Sequence, residues 1–241
     1  MSVLSRMRED IQAVFDHDPA ARTTLEVVLA YPGLHAIWMH RGAHWLWEHN
    51  LRLLGRLLSE MTRWLEGIEI HPGAKLGRRL FIDHGMGVVI GETTEIGDDV
   101  LIYQGASLAG TSLKKEKRHP TIEDGVMISA GATVLGPVTI GRGSRIGAGA
   151  VVISSAPPYS TIVGIPGKVI ERESTQRDVV TLEHARLPDP VAHALSELAD
   201  KMNRLGTRMT EVEERQDCLE DKVGEHHPPA PANNRTPAKE R

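Results

Sequence analysis

One cysteine, Cys218, stands among 241 residues, so no internal disulfide can form and the chain is read as one suited to a reducing, cytoplasmic setting. Aromatic residues are scarce: two Phe, three Tyr and four Trp. The four tryptophans, Trp38, Trp45, Trp47 and Trp64, all precede residue 67, so large apolar side chains are confined to the N-terminal segment. Neither sign of charge prevails. A formal net charge of −4 gives no general pull toward nucleic acid or anionic membrane, and the one basic run, Lys114-Lys115-Glu116-Lys117-Arg118, is local. No stretch reaches the ~20 apolar residues of a membrane span, and no signal-like apolar segment follows Met1.

What the chain does have is a period of six. Aliphatic residues recur at Ile70, Leu76 and Ile82, then at Ile90, Ile96, Ile102 and Leu108, then at Ile122, Ile128, Val134, Ile140, Ile146 and Val152. Most are followed by Gly or by a small or acidic residue, as in Ile96-Gly-Asp-Asp-Val and Ile146-Gly-Ala-Gly-Ala. A six-residue repeat suits a coil with three flat sheets, each taking one short strand per turn and pointing one aliphatic inward. Small residues then fall at the corners, where positive φ or close backbone approach excludes a Cβ. The spacing therefore predicts a parallel β-helix of about eighteen residues per turn.

Two interruptions break the period. The step from Ile82 to Ile90 is eight, and the step from Leu108 to Ile122 is fourteen, with the excess in Thr111-Ser-Leu-Lys-Lys-Glu-Lys-Arg-His-Pro120. A solenoid ejects such insertions as loops, and loops of this kind carry function. Each interruption holds a histidine beside a charged residue: Asp83-His84 and Arg118-His119.

Flanking segments read differently. Residues 1–66 are expected to be helical, with a break at Pro32-Gly33 and apolar positions at helical spacing through Leu34, Ile37, Trp38, Leu54, Leu57, Leu58, Met61 and Leu65. His40 and His44 sit four apart, but a metal needs further ligands, so helix packing accounts for them. Residues 67–172 form the β-helix, 173–190 a proline- and charge-rich linker, and 224–241 a disordered tail. Between the last two, Leu195, Leu198, Met202, Leu205, Met209, Val212, Gln216, Leu219 and Val223 alternate steps of three and four, which predicts a coiled coil over 191–223.

In Asp18-Pro19-Ala20, Glu69-Ile70-His71-Pro72-Gly73, Ile82-Asp83-His84-Gly85 through Gly91-Glu92-Thr93, Gly110-Thr111 and Arg118-His119-Pro120, the chain resembles the serine O-acetyltransferases of the hexapeptide-repeat acyltransferase superfamily. The resemblance runs from Asp18 to about Val169. Together with the helical segment before it and the coiled coil after it, it gives an expected α+β fold: an N-terminal helical domain, then a left-handed parallel β-helix, then a C-terminal coiled-coil helix. It also implies an acyltransferase that moves acetyl from acetyl-CoA, as co-substrate, to the hydroxyl of L-serine in cysteine biosynthesis, with no metal.

The chemistry asks for particular side chains. A serine hydroxyl is a poor nucleophile at neutral pH, so a base must take its proton during attack. His84 is the candidate, and Glu69, fifteen residues earlier and about one coil away, is the carboxylate that would hold its other ring nitrogen. The substrate also carries an ammonium and a carboxylate. The resemblance assigns the first to Asp18 and Asp83 and the second to Arg118, with His119 against the carboxylate or the hydroxyl. For acetyl-CoA it implies Gly110, Thr111, Ala130 and Ala148 along a groove between subunits, with Arg145 where a basic residue meets phosphate. The chain departs from the family at Ala109-Gly110-Thr111-Ser112, where relatives read Gly-Gly-Thr-Gly; the loop over the acyl donor is expected to differ there. His71 is read as a corner residue.

The expected assembly is a homotrimer or a dimer of trimers, and cysteine, which presents the same ammonium and carboxylate as serine, is expected to inhibit. Relatives contact O-acetylserine sulfhydrylase through a C-terminal isoleucine, whereas this chain ends Lys239-Glu240-Arg241, which counts against that partner. Three other readings stand beside this one. A γ-class carbonic anhydrase needs a His-x4-His pair that His71, His84 and His119 do not provide. A hexapeptide acetyltransferase for sugars or other small acceptors would not need the Asp18, Asp83 and Arg118 set. A non-catalytic trimeric scaffold would tolerate loss of His84.

Overall fold

The computed structural model describes residues 3–170, 198–212 and 215. The expected linker over 173–190, the tail over 224–241 and the seam positions Leu195, Gln216, Leu219 and Val223 lie outside the described residues. The chain divides into two units, Met1–Pro188 and Asp189–Arg241.

Helices open the first unit: α1 (Val3–His17), α2 (Thr24–Ala30), α3 (Pro32–Glu48) and α4 (Arg52–Glu66). Pro32 breaks the helical segment by starting a new helix, since its fixed φ and missing N–H suit the first turn. The next residue has to be glycine. A Cβ on Gly33 would lie 2.1 Å from the Ile82 carbonyl oxygen, so the start of α3 rests backbone to backbone on the coil. Asp10 fixes α1 to α3: it is only 2% exposed and accepts hydrogen bonds from the Arg41 guanidinium at 2.6 and 2.9 Å and from the Trp38 indole at 3.0 Å.

Helix α4 turns an unexpected face inward. Gly55, Ser59 and Thr62 are buried, while Leu53, Leu54, Leu57, Met61, Trp64 and Leu65 are exposed. Its apolar stripe is periodic, as the spacing predicts, but periodicity alone does not say which face packs. Close approach decides it. A Cβ on Gly55 would come within 2.9 Å of the Ala43 carbonyl oxygen, and the Ser59 hydroxyl donates to the Ile70 carbonyl at 2.7 Å. Small residues allow this contact, and the leucines are left outside.

Three sheets follow. The first joins β1 (Glu69–Ile70), β4 (Val89–Ile90), β7 (Ser107–Ala109), β10 (Thr133–Leu135) and β13 (Val151–Val152); the second joins β2 (Lys75–Leu76), β5 (Glu95–Ile96), β8 (Thr121–Ile122) and β11 (Thr139–Ile140). The third joins β3 (Phe81–Asp83), β6 (Leu101–Tyr103), β9 (Met127–Ile128), β12 (Arg145–Ile146), β14 (Thr161–Val163) and β15 (Lys168–Ile170), with only β15 antiparallel. This is a parallel β-helix of about five turns.

The register places the repeat anchors on top of one another. Ile70, Ile90, Leu108, Val134 and Val152 are successive partners in the first sheet; Ile82, Ile102, Ile128, Ile146 and Ile162 are successive partners in the third. Together they form one buried column. The two interruptions are visible as longer turns, since Ile70 to Ile90 spans 20 residues and Leu108 to Val134 spans 26, against 18 from Ile90 to Leu108. The extra residues are ejected at two different corners. Those around His84 leave between the third and first sheets, and those before His119 leave between the first and second.

The second unit contributes a helix over 198–212. Leu198, Met202, Leu205, Met209 and Val212 on it are more than half exposed, in steps of four and three. Among the described residues no helix is long and apolar enough to cross a membrane.

Candidate active site

The chemistry-bearing residues fall into two groups, one at each corner. At the first, β3 ends in Asp83, and His84 takes a left-handed backbone conformation (φ 57°) followed by Gly85 at 74°. Such a conformation disfavours an ordinary side chain. Here it turns the chain out of the third sheet and leaves the His84 side chain exposed. Asp18, in the loop after α1, lies against the same corner. Its carboxylate accepts from the Tyr31 hydroxyl at 2.6 Å and from the Ala20 N–H at 2.8 Å.

Electrostatics tie this group together. Burial raises the Asp83 carboxyl above its usual range; the positive charge available on His84 opposes that and the negative charge of Asp18 adds to it. Tyr31 is pushed up to about 12 by burial first, then by its hydrogen bond to Asp18. Tyr103, which faces Asp83 across the paired strands β3 and β6, is raised by burial and by the charges of Asp83 and Asp18. Two carboxylates thus share a half-buried recess, an arrangement that attracts a cation. Glu69 starts β1 just beyond this corner. Its carboxylate lies 3.9 Å from the Arg63 guanidinium, and no hydrogen bond joins it to His84 among the described residues.

At the second corner, Arg118 and His119 close the long insertion. Arg118 is bonded to the Glu92 carboxylate, and that partner holds Glu92 below its usual value although burial works the other way. The His119 side chain is 8% exposed at the residue level and sits against Thr93, whose N–H donates to its Nδ1 at 3.2 Å and whose hydroxyl lies 2.9 Å from the same atom. Burial, then the Arg118 charge, lowers the His119 pKa. Gly91 makes room for the ring, because a Cβ there would stand 2.0 Å from His119 Cδ2. His71 belongs to the same side. It accepts the Gly73 N–H at 3.0 Å, meets Trp47 edge-on and is lowered to about 4, chiefly by burial.

The expected acyl-donor residues are divided in the same way. Ala130 and Ala148 lie in the turns after β9 and β12, at the same corner as His84 but two and three coils along the axis from it, with the Ala130 carbonyl accepting the Gly149 N–H at 2.9 Å. Gly110 and Thr111 follow β7 at the other corner; a Cβ on Gly110 would lie 3.1 Å from His119 Nε2. Arg145 opens β12 on the third sheet and is partly exposed. Ser112 is not among the positive-φ residues. Instead its hydroxyl donates to Glu116 at 2.8 Å and accepts the Lys114 N–H at 3.2 Å, closing the ejected loop on itself.

Asp18, Asp83 and His84 share no hydrogen bond or ion pair with Glu92, Arg118 or His119 among the described residues. His40 and His44 are stacked, with His44 bonded to the Pro72 carbonyl at 2.7 Å, and no group of three or more metal-type side chains converges among the described residues. Sequence reasoning gave no role to Tyr31, Tyr103, Glu92 or Thr93. Glu92 and Thr93 lie within a recognised motif, whereas nothing local marks Tyr31, thirteen residues from the carboxylate it holds.

Comparison with known proteins agrees with this geometry. Residues 1–38 match the family model described as serine acetyltransferase, N-terminal, and residues 119–154 match bacterial transferase hexapeptide (six repeats). A serine acetyltransferase of Bacillus licheniformis is 53% identical over 215 residues, covering 88% of this chain and 98% of that protein. Two solved structures share the fold. The serine acetyltransferase of Neisseria gonorrhoeae in complex with serine is 39% identical with a TM-score of 0.67, covering 70% of this chain and 69% of that one. That of Brucella abortus in complex with coenzyme A is 40% identical with a TM-score of 0.69, covering 72% and 69%. On the identity and coverage of these relatives, together with two family matches that bracket the helices and the coil, the chain belongs to the serine acetyltransferase family.

Proposed function

We propose that the chain transfers the acetyl group of acetyl-CoA to the hydroxyl of L-serine, giving O-acetyl-L-serine and CoA in cysteine biosynthesis. The serine Oγ attacks the thioester carbonyl carbon as His84 takes its proton; the C–S bond then breaks, and the CoA sulfur leaves and recovers a proton. Asp18 and Asp83 hold the substrate ammonium, Arg118 its carboxylate, and His119 a substrate oxygen. Glu69 is assigned to steady His84, which requires its carboxylate to exchange Arg63 for the imidazole. Gly110, Thr111, Ala130, Ala148 and Arg145 line the path of acetyl-CoA.

One observation carries this reading: the two carboxylates beside His84 and the Arg118-His119 pair occupy different corners of the coil. A zwitterion needs both. They meet only if the first corner of one subunit packs against the second corner of the next, which is a heterologous contact that closes into a ring. A homotrimer does this for a three-sided coil, and the exposed stripe over 198–212 offers the same copies a coiled-coil seam. The exposed face of α4 gives a dimer of trimers a further surface to bury. Cysteine, with the same ammonium and carboxylate as serine, competes for this composite site, and the lone cysteine of the chain accords with a cytoplasmic setting.

The test is complementation between two inactive variants. Release of CoA from acetyl-CoA and L-serine is measured for wild type, for His84→Ala and Arg118→Ala alone, and for the two variants co-assembled. Each variant alone is expected to be nearly inactive, and the mixture to recover roughly a quarter of wild-type activity, the fraction of interfaces with both corners intact after random mixing. A mixture as inactive as its parts would sink the shared site. Absence of serine-dependent release from wild type would sink the activity itself.

A further inference from the structure

The two histidines of the proposed site sit in opposite hydrogen-bonding environments. His84 is exposed on a left-handed turn, but His119 is pinned. Four contacts converge on a single residue: the Thr93 N–H donates to His119 Nδ1 at 3.2 Å, the Thr93 hydroxyl lies 2.9 Å from that nitrogen, and the same Oγ1 accepts the backbone N–H groups of Arg118 and His119, each at 3.1 Å. A backbone N–H can only donate. Nδ1 must therefore carry a lone pair, and the ring proton lies on Nε2. With two amides already donating to Oγ1, the hydroxyl hydrogen is free to point at Nδ1 as well. Nε2 is the ring atom beside Gly91 and Gly110: a Cβ on either would stand 2.1 and 3.1 Å from it.

We infer that Thr93 is a positioning residue, which fixes His119 as a neutral donor through Nε2–H and seats the Arg118-His119 segment from which the substrate carboxylate is gripped. This rests on the proposed serine acetyltransferase activity and goes one step beyond it, because it divides the labour of the histidines. His119, with its lone pair already occupied, donates a hydrogen bond to a substrate oxygen and does not accept the serine proton. That acceptance is left to His84. The charged and titratable groups that face His119 are Arg118, Glu92, Lys117 and His71. Two of these are cations, and His71 is itself held neutral by burial, so no neighbour but Glu92 favours an imidazolium.

The tautomer can be read without any variant. Ring-15N-labelled protein at pH 7 should give a His119 signal, identified by its loss in His119→Gln, with Nε2 protonated and Nδ1 not. An imidazolium or an Nδ1–H ring would overturn the inference. Thr93→Val keeps the shape and the backbone N–H and removes the hydroxyl; it should raise the KM for serine by about 3- to 10-fold, the loss expected for one hydrogen bond, leave the KM for acetyl-CoA within about 2-fold, and keep the ring proton on Nε2, because the amide still donates to Nδ1. Thr93→Ser, which returns the hydroxyl, should restore the wild-type KM for serine. A Thr93→Val trimer with wild-type KM for serine would also overturn it, whether or not it melts lower. If wild type shows no serine-dependent CoA release, the activity fails while the tautomer remains measurable, so the two failures are distinguishable.

Discussion

The Tyr31 hydroxyl donates a 2.6 Å hydrogen bond to one carboxylate oxygen of Asp18, while the Ala20 N–H holds the other oxygen at 2.8 Å. The carboxylate is thereby fixed before substrate arrives, facing the same recess as Asp83. Tyr31→Phe removes one of its two anchors and leaves the ring in place. The KM for serine should rise by about 3- to 10-fold with little change in kcat, as expected when ground-state and transition-state binding are weakened alike. Steady-state kinetics with varied serine test this, and an unchanged KM would remove Asp18 from the ammonium site.

Gly91 is required for space rather than for flexibility, since its φ is not positive. Its hydrogen faces the His119 ring, and a methyl group there would lie 2.0 Å from Cδ2 and 2.1 Å from Nε2. Gly91→Ala should displace the imidazole, lowering kcat/KM for serine by about 100-fold, the order expected when a substrate-contacting group shifts by an ångström. Circular dichroism should show the coil intact, because the strands on either side keep their register. A variant with near wild-type kcat/KM would mean that His119 does not contact substrate.

Asp10 anchors the helices that carry Asp18. Asp10→Ala leaves Arg41 and the Trp38 indole without their shared acceptor, and breaking a buried pair from one side costs about 3–5 kcal/mol. The melting temperature should fall by about 10 °C for a chain of this size. Asp10→Ala melting within a few degrees of wild type would show that α1 is held mainly by apolar packing against β3 and α3.

Acid should destabilise the folded chain through two buried histidines. Burial pushes His40 down to about 3, with the charge of His44 adding and the His71 and Ala74 carbonyls opposing, and burial takes His71 to about 4. In the unfolded chain both titrate near ~6.5. Between these values the unfolded state binds more protons than the folded one, so stability rises with pH across the window and is lost as pH falls from about 6.5 toward 3. Thermal melts from pH 4 to 7 should show this slope, and His40→Leu should flatten it. A slope unchanged in His40→Leu would place the acid sensitivity elsewhere.

Much of the fold could be read from the six-residue period, because every anchor from Ile70 to Val152 occupies an inward position and the register pairs them one above another. The two irregular steps also marked the corners that carry the candidate site residues, since an insertion in a coil has nowhere to go but out. Helix α4 was legible as a helix but not in its orientation. Its strongest pattern, the leucines, faces outward, and its packing depends on Gly55 against α3 and on Ser59 against the Ile70 carbonyl of β1, residues that carry little signal in a hydrophobicity pattern. Tyr31 and Asp18 are joined across a loop, and no local spacing announces such a pair.

By itself the sequence determined the coil, its turn length and the two places where it is interrupted, because a strand repeat acts through local alternation and stacking that any window of eighteen residues displays. It also carried the motifs that place the chain in its family. Only the tertiary structure decided that Asp83-His84 and Arg118-His119 stand at different corners of one prism, because which sheet follows an insertion depends on counting strands around the axis. It likewise decided that the His119 ring carries its proton on Nε2, since that follows from an amide twenty-six residues earlier in the chain brought alongside by one turn of the coil.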